Sequence, residues 1–467
     1  MKFSFSLSAI FVYFILLCFA AGNYGCANIV PPSGGTIDSF PPSLVRAIPK
    51  DSALQFTGNK LILQFNEFIE LKNPNEQIII SPYPSVQPLI TSNLKTISIK
   101  LKDTLLPNTT YTIDFGTAIA DINEGNILKD FQYSFSTGNK LDTHSLSGNV
   151  FMAETGKADS TVWALLYLEE KDSTVAKKNP AYVARVNGKG NFQFNRLPEG
   201  KYYLYALKDA DGNKKYNQPI ESFAFLDAPI TIPNDLNSKT LYAFATEKER
   251  KKEAARDAKK TDKLVFFTNI QDGALELNDT VSIRFKDRLI YVDTNAIYLK
   301  EDTLGFKKAT GIIYDSSAQR LSIKTGLKSG TQYQLVLSKD FAKDSSGRML
   351  AKNDTLRFRV KTEKEYGSMK IAFRQLDLSR NPVMQLIQND QIVFQRSMKG
   401  NEVFVKLFKP GNYQLQVLYD TNGNGIWDPG AFFASPKLQP EIVQFIEKEI
   451  FIKQNWDNEF EIALPNN

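Results

Sequence analysis

Leu197-Pro-Glu-Gly-Lys-Tyr-Tyr-Leu-Tyr-Ala-Leu-Lys-Asp209 returns later in the chain as Phe408-Lys-Pro-Gly-Asn-Tyr-Gln-Leu-Gln-Val-Leu-Tyr-Asp420, nine positions separating Gly200 from Asp209 and Gly411 from Asp420. Each copy is a turn followed by a strand that ends on an acid. A second pair of segments precedes these two. Leu106-Pro-Asn-Thr-Thr-Tyr111 and Phe131-Gln-Tyr-Ser-Phe-Ser-Thr137 return as Leu327-Lys-Ser-Gly-Thr-Gln-Tyr333 and Leu356-Arg-Phe-Arg-Val-Lys-Thr362. The order is therefore A–B–A′–B′, with each unit about 100 residues, the size of one small domain.

Inside the units the apolar period is 2. Val281, Ile283 and Phe285 alternate with Ser282, Arg284 and Lys286, as do Ile97, Ile99 and Leu101 with Ser98, Lys100 and Lys102. That alternation sets one face of a strand on a core and the other in water. Such runs recur with Gly, Asn, Asp or Pro between them, the pattern of antiparallel β-sandwiches. The expected fold is all-β: signal peptide 1–25, flexible tether 26–39, A over 40–140, B over 145–246, A′ over 264–363 and B′ over 367–465. Between the halves, 247–263 holds 13 charged residues in 17, eight basic and five acidic, and reads as a solvated helical linker.

With 467 residues, 42% of them hydrophobic and 23% charged, the chain is too apolar for a disordered polymer and too polar for a polytopic membrane protein. A net charge of +6, spread along its length, argues against a nucleic-acid groove. One His and two Cys leave no material for zinc sites, Cys/His nucleophile pairs or a disulfide framework.

Lys2 precedes an apolar stretch over 7–21, followed by Ala20-Ala-Gly-Asn-Tyr-Gly-Cys26. The stretch is shorter than a comfortable membrane span and has the order of a secretory signal. A Cys after a small residue at this place resembles the lipobox of bacterial lipoproteins, although Asn23 and Tyr24 depart from its usual residues. The resemblance implies lipidation at Cys26, membrane attachment through that anchor, and a Pro/Gly/Ser-rich tether behind it.

Phe40-Pro-Pro-Ser-Leu-Val-Arg-Ala-Ile-Pro-Lys-Asp51, Leu63-Gln-Phe-Asn-Glu67 and Tyr133-Ser-Phe-Ser-Thr-Gly138 resemble the bacterial Ig-like domain of the S-layer (SbsA) type. A′ keeps Ile283-Arg-Phe285 and the Tyr333 segment but lacks the opening Pro-Pro. The B units are similar to transthyretin-like or carboxypeptidase-regulatory-like sandwiches. Together the resemblance is to Ig-like-domain lipoproteins of Bacteroidota. It implies an exported outer-membrane lipoprotein, facing the periplasm or the cell surface. No acidic cluster follows Cys26, which favours the inward side.

Both B units end their shared strand in an acid-rich loop. The second, Asp420-Thr-Asn422-Gly-Asn424-Gly425-Ile-Trp-Asp428, sets side-chain oxygens at positions 1, 3, 5 and 9 with Gly at 6, a spacing suited to Ca²⁺. The first places Asp209, Asp211, Asn213 and Asn217 in the same register, with Lys214 where the second has Gly425. Neither has Glu at position 12. A hairpin end in which Asp and Asn bond their own backbone reads the same residues without an ion. Trp427, Phe432 and Phe433 flank the second loop, as core or, if exposed, as a contact patch for a glycan or an envelope protein. No nucleophile-elbow or phosphate-loop motif is present. The expected function is a non-catalytic, envelope-anchored binding or adhesion module; a periplasmic scaffold for envelope proteins and a glycan-acting enzyme are the alternatives.

Overall fold

The computed structural model describes residues 12, 14–15, 38–247 and 262–464, except 303, 318 and 325. Most of the signal peptide, Cys26, most of the tether and most of the charged linker lie outside the described residues. The chain divides into two compact units. One holds the described residues up to Ile80 with Val86–Leu141; the other holds Ser81–Ser85 with the described residues from Asp142 on. No helix among the described residues is long and apolar enough to cross a membrane.

The fold is all-β. In A, one sheet runs Leu44–Ile48, Lys60–Phe65, Thr96–Lys100, Leu89–Asn93 and another Gln132–Ser136, Thr110–Asp114, Ile79–Ser81. A′ repeats the order: Phe266–Thr268, Val281–Phe285, Arg320–Ile323, Ile312–Asp315 in one sheet, with Asp354–Val360, Gln332–Leu337, Ile297–Glu301 at the centre of the other. The period-2 pattern is what closes these sandwiches. Leu61, Leu63, Ile97 and Ile99 from one sheet of A share a core with Ile113, Tyr133 and Phe135 from the other. Val281, Ile283 and Phe285 do the same in A′ with Leu335, Leu337 and Phe358. Each such side chain taken fully out of water contributes about 1.5–3 kcal/mol.

B and B′ also match in their first sheet. In B, His144–Met152 pairs antiparallel with Asn191–Leu197 and parallel with Lys239–Ala243. In B′, Gly367–Arg374 pairs antiparallel with Glu402–Phe408 and parallel with Asp457–Ala463. The second sheet of B sets Gly200–Lys208 beside Trp163–Tyr167 on one side and Ser222–Phe225 and Ile230–Ile232 on the other. In B′ one long strand, Ile442–Ile452, runs along the whole of Gly411–Tyr419 in place of those two.

The repeated Tyr has a mechanical role. Tyr202 Oη donates to Pro198 O at 2.8 Å, and Tyr413 Oη donates to Lys409 O at 3.0 Å. In the A units the hydroxyl accepts instead, Tyr111 from Leu106 N at 2.7 Å and Tyr333 from Lys328 N at 2.8 Å. In all four the ring lies in the core and its hydroxyl ties down the turn entering the strand. This explains why Leu-Pro-Asn-Thr-Thr-Tyr and Leu-Pro-Glu-Gly-Lys-Tyr read as fixed phrases. Burial pushes the Tyr202 phenol up to about 12.

A′ and B′ are joined by short polar contacts. Glu276 of A′ receives Lys361 Nζ and Lys409 Nζ at 2.9 Å each and the Tyr366 hydroxyl at 2.5 Å, and Tyr366 Oη accepts from Leu277 N at 2.9 Å.

Candidate functional site

The strand Gly411–Tyr419 delivers Asp420 to the end of the B′ sheet, where the residue is only 2% exposed. Oδ1 accepts from Gly423 N at 2.7 Å and Asn424 N at 3.2 Å, and Oδ2 accepts from Gly425 N at 2.7 Å. Gly425 has a φ of 79°, a backbone shape that glycine adopts without cost. Asn422 Oδ1 accepts from Asn424 N at 3.0 Å and Asn424 Oδ1 from Ile426 N at 2.8 Å. Both side-chain amides then turn their Nδ2 to Asp428 Oδ2, at 2.6 and 2.7 Å. The four residues expected as ligands are therefore brought together.

A third acid completes the loop. Glu441 stands directly before the strand Ile442–Ile452 and is 5% exposed. Its Oε1 accepts from Thr421 N at 2.8 Å and Thr421 Oγ1 at 3.0 Å, and its Oε2 from Asp428 N at 3.1 Å. The first loop has the same device in Glu221, directly before Ser222–Phe225. Glu221 Oε1 accepts from Ala210 N at 3.2 Å, and Oε2 from Asn217 N and Gln218 N at 3.1 Å. An acid thus enters each loop from the start of the returning strand. Loop spacing alone could not reveal it; the signal available was Pro219-Ile-Glu221 against Pro440-Glu441, an acid at the same strand entrance in both copies.

In the first loop Asp209 Oδ1 accepts from Gly212 N at 2.9 Å and Asn213 N at 3.1 Å, and Oδ2 from Lys214 N at 3.0 Å. Asp211 Oδ2 accepts from Asn213 Nδ2 at 2.7 Å. One oxygen each of Asp209, Asp211 and Glu221 lie within 4.8 Å of one another. Asn217 contributes its backbone N–H to Glu221. Lys214 also sends its own ammonium to Asp209 Oδ2, at 2.9 Å. Burial alone would raise the Asp209 carboxyl; the Lys214 ammonium and the loop N–H groups outweigh it and hold the group below the ordinary carboxylate value. The donor sets of both loops are all hard oxygen, the set Ca²⁺ takes, but the first already carries an internal cation.

The three aromatic residues separate. Trp427 is half-buried against Val383, Leu418 and Val443, its Nε1 donating to Glu441 O at 2.7 Å. Phe432 is 2% exposed, and what buries it is B rather than B′. Its ring lies 4.9 Å from Phe223, 5.2 Å from Phe225 and 5.8 Å from Tyr205, centroid to centroid, with Lys437 Nζ 4.4 Å from it. Phe433 is 60% exposed and stacks on Tyr216 at 5.7 Å.

B and B′ are thus docked, although A′ separates them in the chain. Lys437 pairs with Asp172 at 2.5 Å, Gln439 Nε2 donates to Asp227 Oδ1 at 2.8 Å, and Val443 N donates to Ala153 O at 2.9 Å. Two glycines mark where the domains come closest. A Cβ on Gly156 would stand 2.4 Å from Val443 O, and one on Gly430 would stand 2.7 Å from the Phe244 ring.

Fold and sites together define an all-β chain of tandem Ig-like β-sandwich domains. Residues 38–137 match the family of the bacterial Ig-like domain. No curated protein matches the chain. Among solved structures, the N-terminal part of the bacterial S-layer protein SbsC is 13% identical, over 45% of this chain and 45% of its own, at a TM-score of 0.16. BcpA, the major pilin subunit of Bacillus cereus, is 10% identical over 70% of this chain and 99% of its own, also at 0.16. The Bacillus anthracis TIE protein is 12% identical over 93% and 76%, again at 0.16. The chain spans less than half the length of the S-layer fragment.

Proposed function

We propose that the protein is a non-catalytic, envelope-anchored lipoprotein whose tandem sandwiches serve as a binding or adhesion module. The observation carrying this reading is the order of parts: an apolar leader, a lipobox-like Cys26, a Pro/Gly/Ser tether, then β-sandwich domains beginning with a bacterial Ig-like match at 38–137.

Within this reading the loop at 420–428, closed by Glu441, takes Ca²⁺, which stiffens the B′ end beside the docked segment. Location follows from the anchor: an outer-membrane lipoprotein of Bacteroidota type. Metabolic labelling with a palmitate analogue, wild type against Cys26→Ala, tests the attachment. Labelled, membrane-bound wild type and an unlabelled, soluble variant are expected; a variant that stays in the membrane would overturn it. Protease treatment of intact cells then separates a surface adhesin, which is cleaved, from a periplasmic scaffold, which is protected until the outer membrane is broken.

A further inference from the structure

Docking of B on B′ encloses a cleft of about 540 Å³, within the range of small-ligand sites. Its floor is the outer face of the second B′ sheet. Alternation on Pro382–Gln388 and Gly411–Tyr419 sends Met384, Leu386, Leu415 and Val417 into the B′ core. On the opposite side the same strands carry glutamines. Gln416, Gln385 and Gln395 stand opposite one another across three adjacent strands.

These amides form an ordered row. Gln416 Nε2 donates to Gln385 Oε1 at 2.8 Å, Gln385 Nε2 to Gln395 Oε1 at 3.4 Å, and Gln395 Nε2 to Gly425 O at 3.3 Å. Gln385 and Gln416 are 3% and 5% exposed. Amides are costly to bury, and the same sheet face nearby is apolar, with Val383, Leu418 and Val443 packed under Trp427. B supplies one wall through Lys157, whose Nζ donates to Gln414 Oε1 at 3.1 Å. Ile426 and Trp427 supply an apolar wall from the acid-rich loop.

We propose that this cleft binds a neutral oligosaccharide. The proposal rests on the reading of the protein as a binding module and names its ligand. An amide both donates and accepts, as a sugar hydroxyl does, so the accessible amides of Gln395 and Gln414, with the buried Gln385 and Gln416 behind them, match sugar hydroxyls. The Trp427 and Ile426 side chains match the C–H faces of sugar rings. Ionisable groups on the lining are of both signs, Lys157 against Glu154 and Asp390, which favours an uncharged ligand. A peptide strand would need an open sheet edge for its main chain. The two floor strands are each paired on both sides, so the floor offers a face and no edge.

The test is calorimetric titration of the full chain with maltotriose, cellotriose, mannotriose and chitotriose, and with an uncharged Asn- and Ser-rich peptide. At least one trisaccharide is expected to bind. Gln414→Ala and Gln395→Ala, neither in the core, are expected to weaken it about tenfold each, the effect of one lost hydrogen bond to ligand, with the melting temperature of Gln414→Ala unchanged. Gly156→Ala, which wedges B from B′, is expected to weaken it as well. Binding by none of the four sugars, binding indifferent to both Gln variants, or binding of the peptide in their place would overturn the proposal. A failure of Cys26-dependent attachment would overturn the envelope reading and leave these titrations as they are.

Discussion

The ammonium of Lys214 lies 2.9 Å from Oδ2 of Asp209 in the first acid-rich loop, at the position where the second loop has Gly425. Asp209 and Asp420 otherwise accept the same three backbone N–H groups, from the third, fourth and fifth residues after them. The two loops share this backbone cage, and the first holds an ammonium against its acid where the second has a glycine.

That difference predicts unequal ion binding. Calorimetric titration of the full chain with Ca²⁺ is expected to show a single ion bound, lost in Asp428→Ala and Asp420→Ala and kept in Asp211→Ala. Gly425→Lys is expected to abolish it too, by placing an ammonium as in the first loop. Strain there costs about 1 kcal/mol, since φ is 79° at Gly425 and Lys214 already tolerates 58°. Heat retained in Asp428→Ala would count against the assignment.

Phe432 is the anchor of B on B′. Phe432→Ala removes a fully buried ring and is expected to cost about 3–5 kcal/mol. The loss falls on the docking, so B and B′ should melt separately and the segment 429–438 should become open to protease. Phe433→Ala, at a 60% exposed ring, is the control and is expected to change little. Gly156→Ala should reproduce the Phe432→Ala pattern, because the obstructing atoms are backbone and cannot rotate away.

Stability should fall in acid for a traceable reason. The Arg359 guanidinium, together with Thr362 N, holds Glu365 at about 2 against an ordinary value of 4.5. A carboxyl whose folded pKa is depressed stabilises the fold in full above its unfolded value, and that contribution is lost as pH falls from about 4.5 to about 2. Asp209 and Glu276, both held below their ordinary values, act in the same direction. Melting temperature followed from pH 6 to pH 2 should drop, and Glu365→Gln should flatten part of the drop. An unchanged slope in that variant would contradict the assignment.

The four repeated tyrosines predict four similar losses. Tyr202→Phe and Tyr413→Phe each remove a hydroxyl that donates to a carbonyl four residues back, for about 0.5–1.5 kcal/mol. Tyr111→Phe and Tyr333→Phe remove the acceptor of a backbone N–H, with a similar cost. Lying in different domains, the effects should add in denaturant unfolding. A large coupling between Tyr202→Phe and Tyr413→Phe would mean that docking of B on B′ transmits the loss.

Much of the fold could be read along the chain. Val281, Ile283 and Phe285 alternate and are buried as alternation requires, and the two copies of Gly-x-Tyr followed by Asp became two identical strand entrances. The acid-rich loops were legible as far as Asp420, Asn422, Asn424 and Asp428. Glu221 and Glu441 were not, because each enters its loop from the next strand, at a different distance in the two copies: 12 residues after Asp209 and 21 after Asp420.

The aromatic residues show the limit most clearly. Sequence could say that Phe432 would be buried or form a contact, and it does both: it is buried because it is a contact, with Tyr205, Phe223 and Phe225 of another domain. Period, turn chemistry and internal repeat act over a few residues and write themselves into the order of amino acids, so strands and turns follow from the chain alone. Which domain meets which depends on surfaces assembled from residues more than 200 positions apart, as Lys437 and Asp172 are. No local pattern encodes such a meeting. The docking of B on B′, and with it the glutamine-floored cleft, was decided only by the tertiary structure.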